Sequence, residues 1–166
     1  MEYISTRGMS LPTTSAGAIR QGMAPDGGLY VPVSIPAWSG PDSLILASYQ
    51  ERAAWLLAKF LADYTPGEIA SSVAAAYSKE KFPATVAPVR TVTSSIHVLE
   101  LWHGPTSAFK DMALQLLPHL LRYAVAKGEE GQRTLILVAT SGDTGKAALE
   151  GFRDVPATEI VVFYPA

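Results

Sequence analysis

Cysteine is absent from the 166 residues, which excludes disulfides and thiolate metal sites and is compatible with a reducing compartment. No apolar run approaches the ~20 residues that a membrane-crossing helix needs. The longest runs, such as "TLILVA", have the length of buried strands. Positive charge is neither abundant nor clustered. Thirteen Lys and Arg stand against 15 Asp and Glu, a net charge of −2, so no sequence-wide field attracts a nucleic-acid backbone. The opening "MEYISTRGMS" lacks the basic flank and apolar run of a secretory signal. These absences predict a cytoplasmic protein with no nucleic acid, no membrane and no metal among its ligands. Charged residues are also sparse, at 17%, while hydrophobic residues reach 48%. That balance is globular, with enough apolar mass for a core, in one domain or a piece of a larger protein. Nothing in the sequence sets an oligomeric state.

The first forty residues are rich in Gly, Pro, Ser and Thr. Within them Pro25-Asp26-Gly27-Gly28 is turn chemistry, because proline presets one φ and glycine accepts positive φ. Leu29 to Val31 then reads as a short strand that Pro32 ends. Ser48 with Glu51 forms a capping-box pattern ahead of Tyr49, Ala53, Leu56, Leu57 and Phe60 at helical spacing. Thr65-Pro66-Gly67-Glu68 repeats the signal and predicts a helix to about Tyr77. From "VAPVRTV" onward strands alternate with helices. "IHVLEL" reads as a strand, with a helix over about 109–126 after it. "RTLILVAT" follows as a strand buried on both faces, then a helix over about 146–152, then "EIVVFYP" as another buried strand. That order is a βαβ pattern and implies a parallel sheet with about three strands. The fold class is α/β, with a turn-rich and helical region over 1–95 and an α/β unit over 96–166. So few strands and helices leave a parallel sheet uncovered, so the chain is expected to be the first part of a longer protein.

Two stretches carry chemistry. "SGDTG", Ser141 to Gly145, lies between a strand and a helix, where backbone N–H groups and the helix dipole favour an anion. Ser141 and Thr144 add hydroxyl donors. Asp143 partly opposes an anion and makes sense opposite a cation or a hydroxyl. The loop fails the phosphate-loop pattern, which needs glycine at the place of Thr140 and Ser or Thr at that of Ala147. It also lacks G-x-G-x-x-G spacing. Alone, it fits a structural helix cap as well as an anion site.

The second stretch is "WHGPTSAFKDMALQ", Trp102 to Gln115. An exposed lysine has a pKa of ~10.4, so only about one in a few thousand is neutral and nucleophilic at pH 7. Phe109, Ala108 and Met112 are the apolar neighbours expected to desolvate Lys110, and desolvation penalises the ammonium form. Activated lysines form Schiff bases with carbonyl compounds, pyridoxal phosphate included. The bland alternative is a helix-start lysine that reaches solvent. Asp111 suits the helix dipole. His103 is an acid–base candidate or a structural turn residue.

"LWHGPTSAFKDMALQ" followed by "ATSGDTGKAA" resembles the threonine synthase family, of the bacterial and fungal type. "YISTRG" and "GMAPDGGLYVP" resemble its amino-terminal signature, so four blocks in order cover nearly the whole chain. Trp102, where phenylalanine is common, and Ser107, where leucine often appears, are mild departures. The resemblance implies a fold-type II pyridoxal-phosphate enzyme that converts O-phospho-L-homoserine and water to L-threonine and phosphate. It makes Lys110 the cofactor-binding and catalytic lysine, which later moves a proton between substrate carbons. It makes Ser141, Gly142, Asp143, Thr144 and Gly145 the receivers of the substrate's α-carboxylate, with Asp143 also beside the cofactor. The cup for the cofactor phosphate and the partner of the pyridine nitrogen are implied to lie beyond Ala166, so these residues alone are expected to bind cofactor weakly and not to turn over. Ser5 to Gly8 match the family without a physical role. Two other readings stay open: a related pyridoxal-phosphate phospho-lyase with another amino-acid substrate, and a phosphate-binding module that leaves Lys110 idle.

Overall fold

The computed structural model describes residues 1–37, 40–128, 133–140 and 142–165. Strand β1 (Tyr3–Ser5) pairs antiparallel with β2 (Tyr30–Pro32), bringing Ser5 opposite Tyr30. Asp26 closes the same ribbon. Its carboxylate accepts hydrogen bonds from Ser5 Oγ at 2.6 Å, Gly28 N at 2.9 Å and Met9 N at 3.0 Å, while Arg7 donates to the Asp26 carbonyl at 2.9 Å. Gly27 takes φ +78°, and a Cβ on Gly28 would sit 2.0 Å from Ser5 Oγ. Ser5 to Gly8 therefore serve as the clasp for the Pro25–Gly28 turn.

The Ser5 hydroxyl first, then the Gly28 and Met9 amides, hold the Asp26 carboxyl down at about 2. An unfolded aspartate titrates near ~3.9. A depressed folded value contributes stability that is present above about pH 4 and is lost as pH falls through about 2. The thermal midpoint of Asp26→Asn is accordingly expected to lie below that of the parent at pH 5, with the gap closing between pH 4 and 2. A gap independent of pH would contradict the clasp.

Helix α1 (Ser15–Gln21) is capped by Thr14, whose side chain accepts from Gly17 N. Both predicted capping boxes form: Ser48 with Glu51 opens α2 (Tyr49–Phe60), and Thr65 with Glu68 opens α3 (Pro66–Ala76). Leu56, expected inward, is 47% exposed, and the inner face of α2 is Tyr49, Ala53, Ala54 and Leu57. The main core joins Leu61, Tyr64, Ile69, Val73, Ala76 and Tyr77 to Leu120 and Ala124. Each buried Leu, Ile or Val side chain there contributes roughly 1.5–3 kcal/mol relative to exposure. Tyr64 and Tyr77 satisfy their hydroxyls on the carbonyls of Leu120 and Met112, at 3.0 and 2.8 Å, and burial raises both pKa values. Tyr77 thus ties the end of α3 to the helix that follows Lys110.

Strand β3 (Val89–Thr91) pairs antiparallel with β4 (His97–Leu99). This corrects the expectation that "IHVLEL" joins the parallel sheet. The turn, with Val92 N on Ile96 O at 2.9 Å, brings the two strands together locally. The single helix expected over 109–126 is two, α4 (Asp111–Leu114) and α5 (Leu117–Ala126), with Pro118 in the first turn of the second. Proline lacks the N–H that a continuous helix would use there.

Strands β5 (Thr134–Ala139) and β6 (Thr158–Phe163) are parallel, in register from Thr134↔Thr158 to Ala139↔Phe163, with α6 (Asp143–Phe152) as the crossover. Among the described residues the parallel sheet has two strands. They are half-buried on one face and exposed on the other. Ile136 and Ile160 pack on Leu121, Val125 and Phe152, whereas Leu135, Leu137 and Phe163 are more than half exposed. Covering both faces takes helices on both sides, and here the helices lie on one. No helix among the described residues is long and apolar enough to cross a membrane.

Candidate functional site

Lys110 is the residue from which α4 springs, with φ −62° and ψ −22°. Its carbonyl accepts from Leu114 N at 2.9 Å, and the preceding residues form a run of tight turns, Ser107 N on Gly104 O and Asp111 N on Ala108 O. The residue is half-buried, and its amine lies 4.3 Å from the centre of the Phe109 ring. Among the described residues no carboxylate pairs with it. The expected desolvation is incomplete. Ala108 is buried and Met112 half-buried, but Phe109 is 61% exposed, because the loop leaves the core there.

Asp111 does more than face the helix dipole. It is wholly buried, with Oδ2 accepting from Thr106 N and Oδ1 from Thr106 Oγ1, each at 2.8 Å. Gly104 makes room for it, since a Cβ there would lie 2.5 Å from the Asp111 Cβ. Ser107, inside this loop, takes φ +57°, a left-handed conformation that a non-glycine residue adopts at a cost. Periodicity carries no trace of the Asp111–Thr106 contact; the one available signal was the proximity of an acid to a Gly-Pro-Thr turn.

His103 shares a 2.7 Å hydrogen bond with Glu100, whose other oxygen is 3.8 Å from Arg90 Nε. It is already committed to that network. Gln115, the last residue of the motif, is wholly buried, and both its amide atoms lack a partner among the described residues, as does His119 Nε2.

The glycine-rich loop opens α6 at the carboxyl ends of β5 and β6, the usual place for ligands in parallel sheets. Gly142 is the capping residue, and Gly142, Asp143 and Thr144 are exposed. The first N–H groups of a helix have no intrahelical partner, so this end offers donors. Beside it an open hollow of about 520 Å³ is lined by Ala139, Thr140, Phe163, Tyr164 and Pro165. Gly145 differs from its neighbours. It is buried, and a Cβ on it would meet Thr140 Cγ2 at 2.6 Å and Val162 Cγ1 at 3.0 Å, so its role here is close packing of α6 on the sheet. Ser141 lies outside the described residues. Lys146, one residue past the loop, reaches the Thr106 carbonyl at 3.4 Å and so bridges the two motif segments.

An amine with no carboxylate partner among the described residues and an exposed helix start fit an aldehyde at the one and a carboxylate at the other. Residues 2–77 match the family model described as threonine synthase N terminus. The threonine synthase of Pseudomonas aeruginosa is 40% identical over 171 residues, covering 99% of this chain and 35% of that protein. Threonine synthase-like 1 of Mus musculus is 38% identical, over 98% of this chain and 24% of its own length. A crystal structure of pyridoxal-phosphate-bound threonine synthase from Brucella melitensis superposes with a TM-score of 0.90 at 38% identity, over 99% of this chain and 36% of that one. The chain thus spans about a third or less of the length of these relatives. Over nearly its whole length the chain is similar, in sequence and in fold, to the amino-terminal part of threonine synthases.

Proposed function

We propose that this chain supplies the amino-terminal part of a threonine synthase, a pyridoxal-phosphate-dependent carbon–oxygen lyase that makes L-threonine and phosphate from O-phospho-L-homoserine and water. The observation that carries the proposal is Lys110, a half-buried lysine at the start of α4 whose amine has no carboxylate partner among the described residues, in a chain similar to a pyridoxal-phosphate-bound threonine synthase. When bound, the cofactor supplies an electron sink for carbanion chemistry. Lys110 would hold the cofactor through its Nζ, and the same Nζ would hold or move a proton during turnover. The start of α6 receives the substrate's α-carboxylate through the N–H groups and hydroxyls of Ser141, Gly142 and Thr144. Asp143 would stand beside the cofactor, where an acid suits a hydroxyl or a cation opposite it. Gly145 places the loop by packing it on the sheet.

The similarity to a protein named threonine synthase-like 1 keeps a second reading in play, a related phospho-lyase on another amino-acid substrate. Product analysis separates the two. The full-length protein with pyridoxal phosphate is expected to release threonine and phosphate in equal amounts from O-phospho-L-homoserine. No release of phosphate from O-phospho-L-homoserine by a protein that carries pyridoxal phosphate would favour the second reading. Residues 1–166 run alone are expected to form no threonine, since Lys110 is only partly enclosed and one sheet face is bare.

A further inference from the structure

We infer that Asp111 is the positioning residue for Lys110, acting through Thr106; the inference rests on the reading of Lys110 as the Schiff-base lysine. Asp111 follows Lys110 directly and has no exposed surface. Its two oxygens take the two donors of one residue, Thr106 N–H and Oγ1–H, at 2.8 Å each. This clasp closes residues 106–111 into a ring and sets the backbone from which the Lys110 side chain leaves. It also holds a strained segment, because Ser107 sits at φ +57° between the clasped ends. Gly104 leaves room for the clasp on one side, and Lys146 braces the Thr106 carbonyl at 3.4 Å on the other. A displacement of Lys110 Nζ by about 1 Å is the kind of change that costs roughly a hundredfold in rate while leaving binding little altered.

Geometry and charge are separable at this clasp. In Asp111→Asn the amide oxygen accepts from Thr106 N–H, and its N–H donates to the Thr106 hydroxyl, which rotates to accept. Both hydrogen bonds survive and the charge is gone. In Thr106→Val the charge survives and one hydrogen bond is lost. Thr106→Ser keeps both.

The test uses the full-length protein reconstituted with pyridoxal phosphate, following the rate of Schiff-base formation by absorbance together with kcat and KM for O-phospho-L-homoserine. Thr106→Val is expected to slow Schiff-base formation and lower kcat about 10- to 100-fold, with KM changed less than about threefold. Thr106→Ser, which keeps both hydrogen bonds, is expected to stay within about threefold of the parent in all three, and Asp111→Asn is expected to lose less than Thr106→Val. Thr106→Cys, with its weak donor, replaces Thr106→Val if that variant does not fold. Unchanged rates in Thr106→Val, or an equal loss in Asp111→Asn, overturn the positioning role. A parent protein that forms no Schiff base on Lys110 overturns the underlying reading instead, and the positioning role with it.

Discussion

Lys110→Ala in the full-length protein is expected to lower threonine formation by at least about 10³-fold while leaving the fold intact. The loss is large because the same amine would anchor the cofactor and transfer a proton, and proton transfer by a placed side chain alone is worth about 10²–10⁴. The fold survives because the amine supports so little of it. The residue is half-buried, and its amine's contact with Phe109 is a cation–π interaction at an exposed ring, worth about 0.5–1 kcal/mol. Lys110→Arg is expected to be as inactive as the alanine variant, since a guanidinium stays protonated and cannot form the imine. Turnover by Lys110→Arg within tenfold of the parent would contradict the role given to this residue. Urea denaturation of each variant is expected to show a stability loss of no more than about 1 kcal/mol.

Gly151→Ala is expected to destabilise the protein by about 2 kcal/mol, against the direction that helix propensity alone predicts. Glycine inside a helix costs about 1 kcal/mol relative to alanine, so the substitution in α6 should help. The packing reverses the sign. A Cβ at 151 would lie 2.0 Å from the Leu114 carbonyl oxygen and 2.9 Å from its carbon, and those are backbone atoms that cannot rotate away. Overpacking of that kind costs about 3 kcal/mol. Relief requires α6 to withdraw from the end of α4, and these two helices carry the glycine-rich loop and Lys110 at their starts. The variant is therefore expected to lose activity as well as stability. Gly67→Ala is the control. Gly67 sits in the first turn of α3, and a Cβ there would meet no atom within 4 Å, so the same chemical change is expected to be neutral or stabilising by up to about 1 kcal/mol. Equal effects at the two positions would show that the close approach of α6 to α4 does not govern the result.

Local chemistry in the sequence was a good guide to helix starts. Ser48 with Glu51, Thr65 with Glu68 and Pro66 each mark a cap that forms. Helix α1 escaped because its buried face is Ser15, Ala16, Gly17 and Ala18, too small to register as an apolar stripe. The hairpin of β3 and β4 escaped because an isolated strand does not announce its partner, and a short turn there outweighed the βαβ pattern. Burial of β5 and β6 was overstated, since an apolar run reports what a strand can cover and not what lies against it. Of the site, Lys110 and the loop at Gly142 to Thr144 were legible as chemistry in unusual settings. The clasp of Asp111 on Thr106 and the packing duty of Gly145 were not, because both depend on which atoms meet across the fold.

Borohydride trapping is the most direct test of the central claim. The full-length protein is incubated with pyridoxal phosphate, reduced, digested, and its peptides are mapped by mass. A pyridoxyl adduct on the peptide carrying Lys110, absent from Lys110→Ala, is the predicted result. An adduct confined to other lysines, or none, would contradict the account and return Lys110 to the role of a helix-start lysine facing solvent.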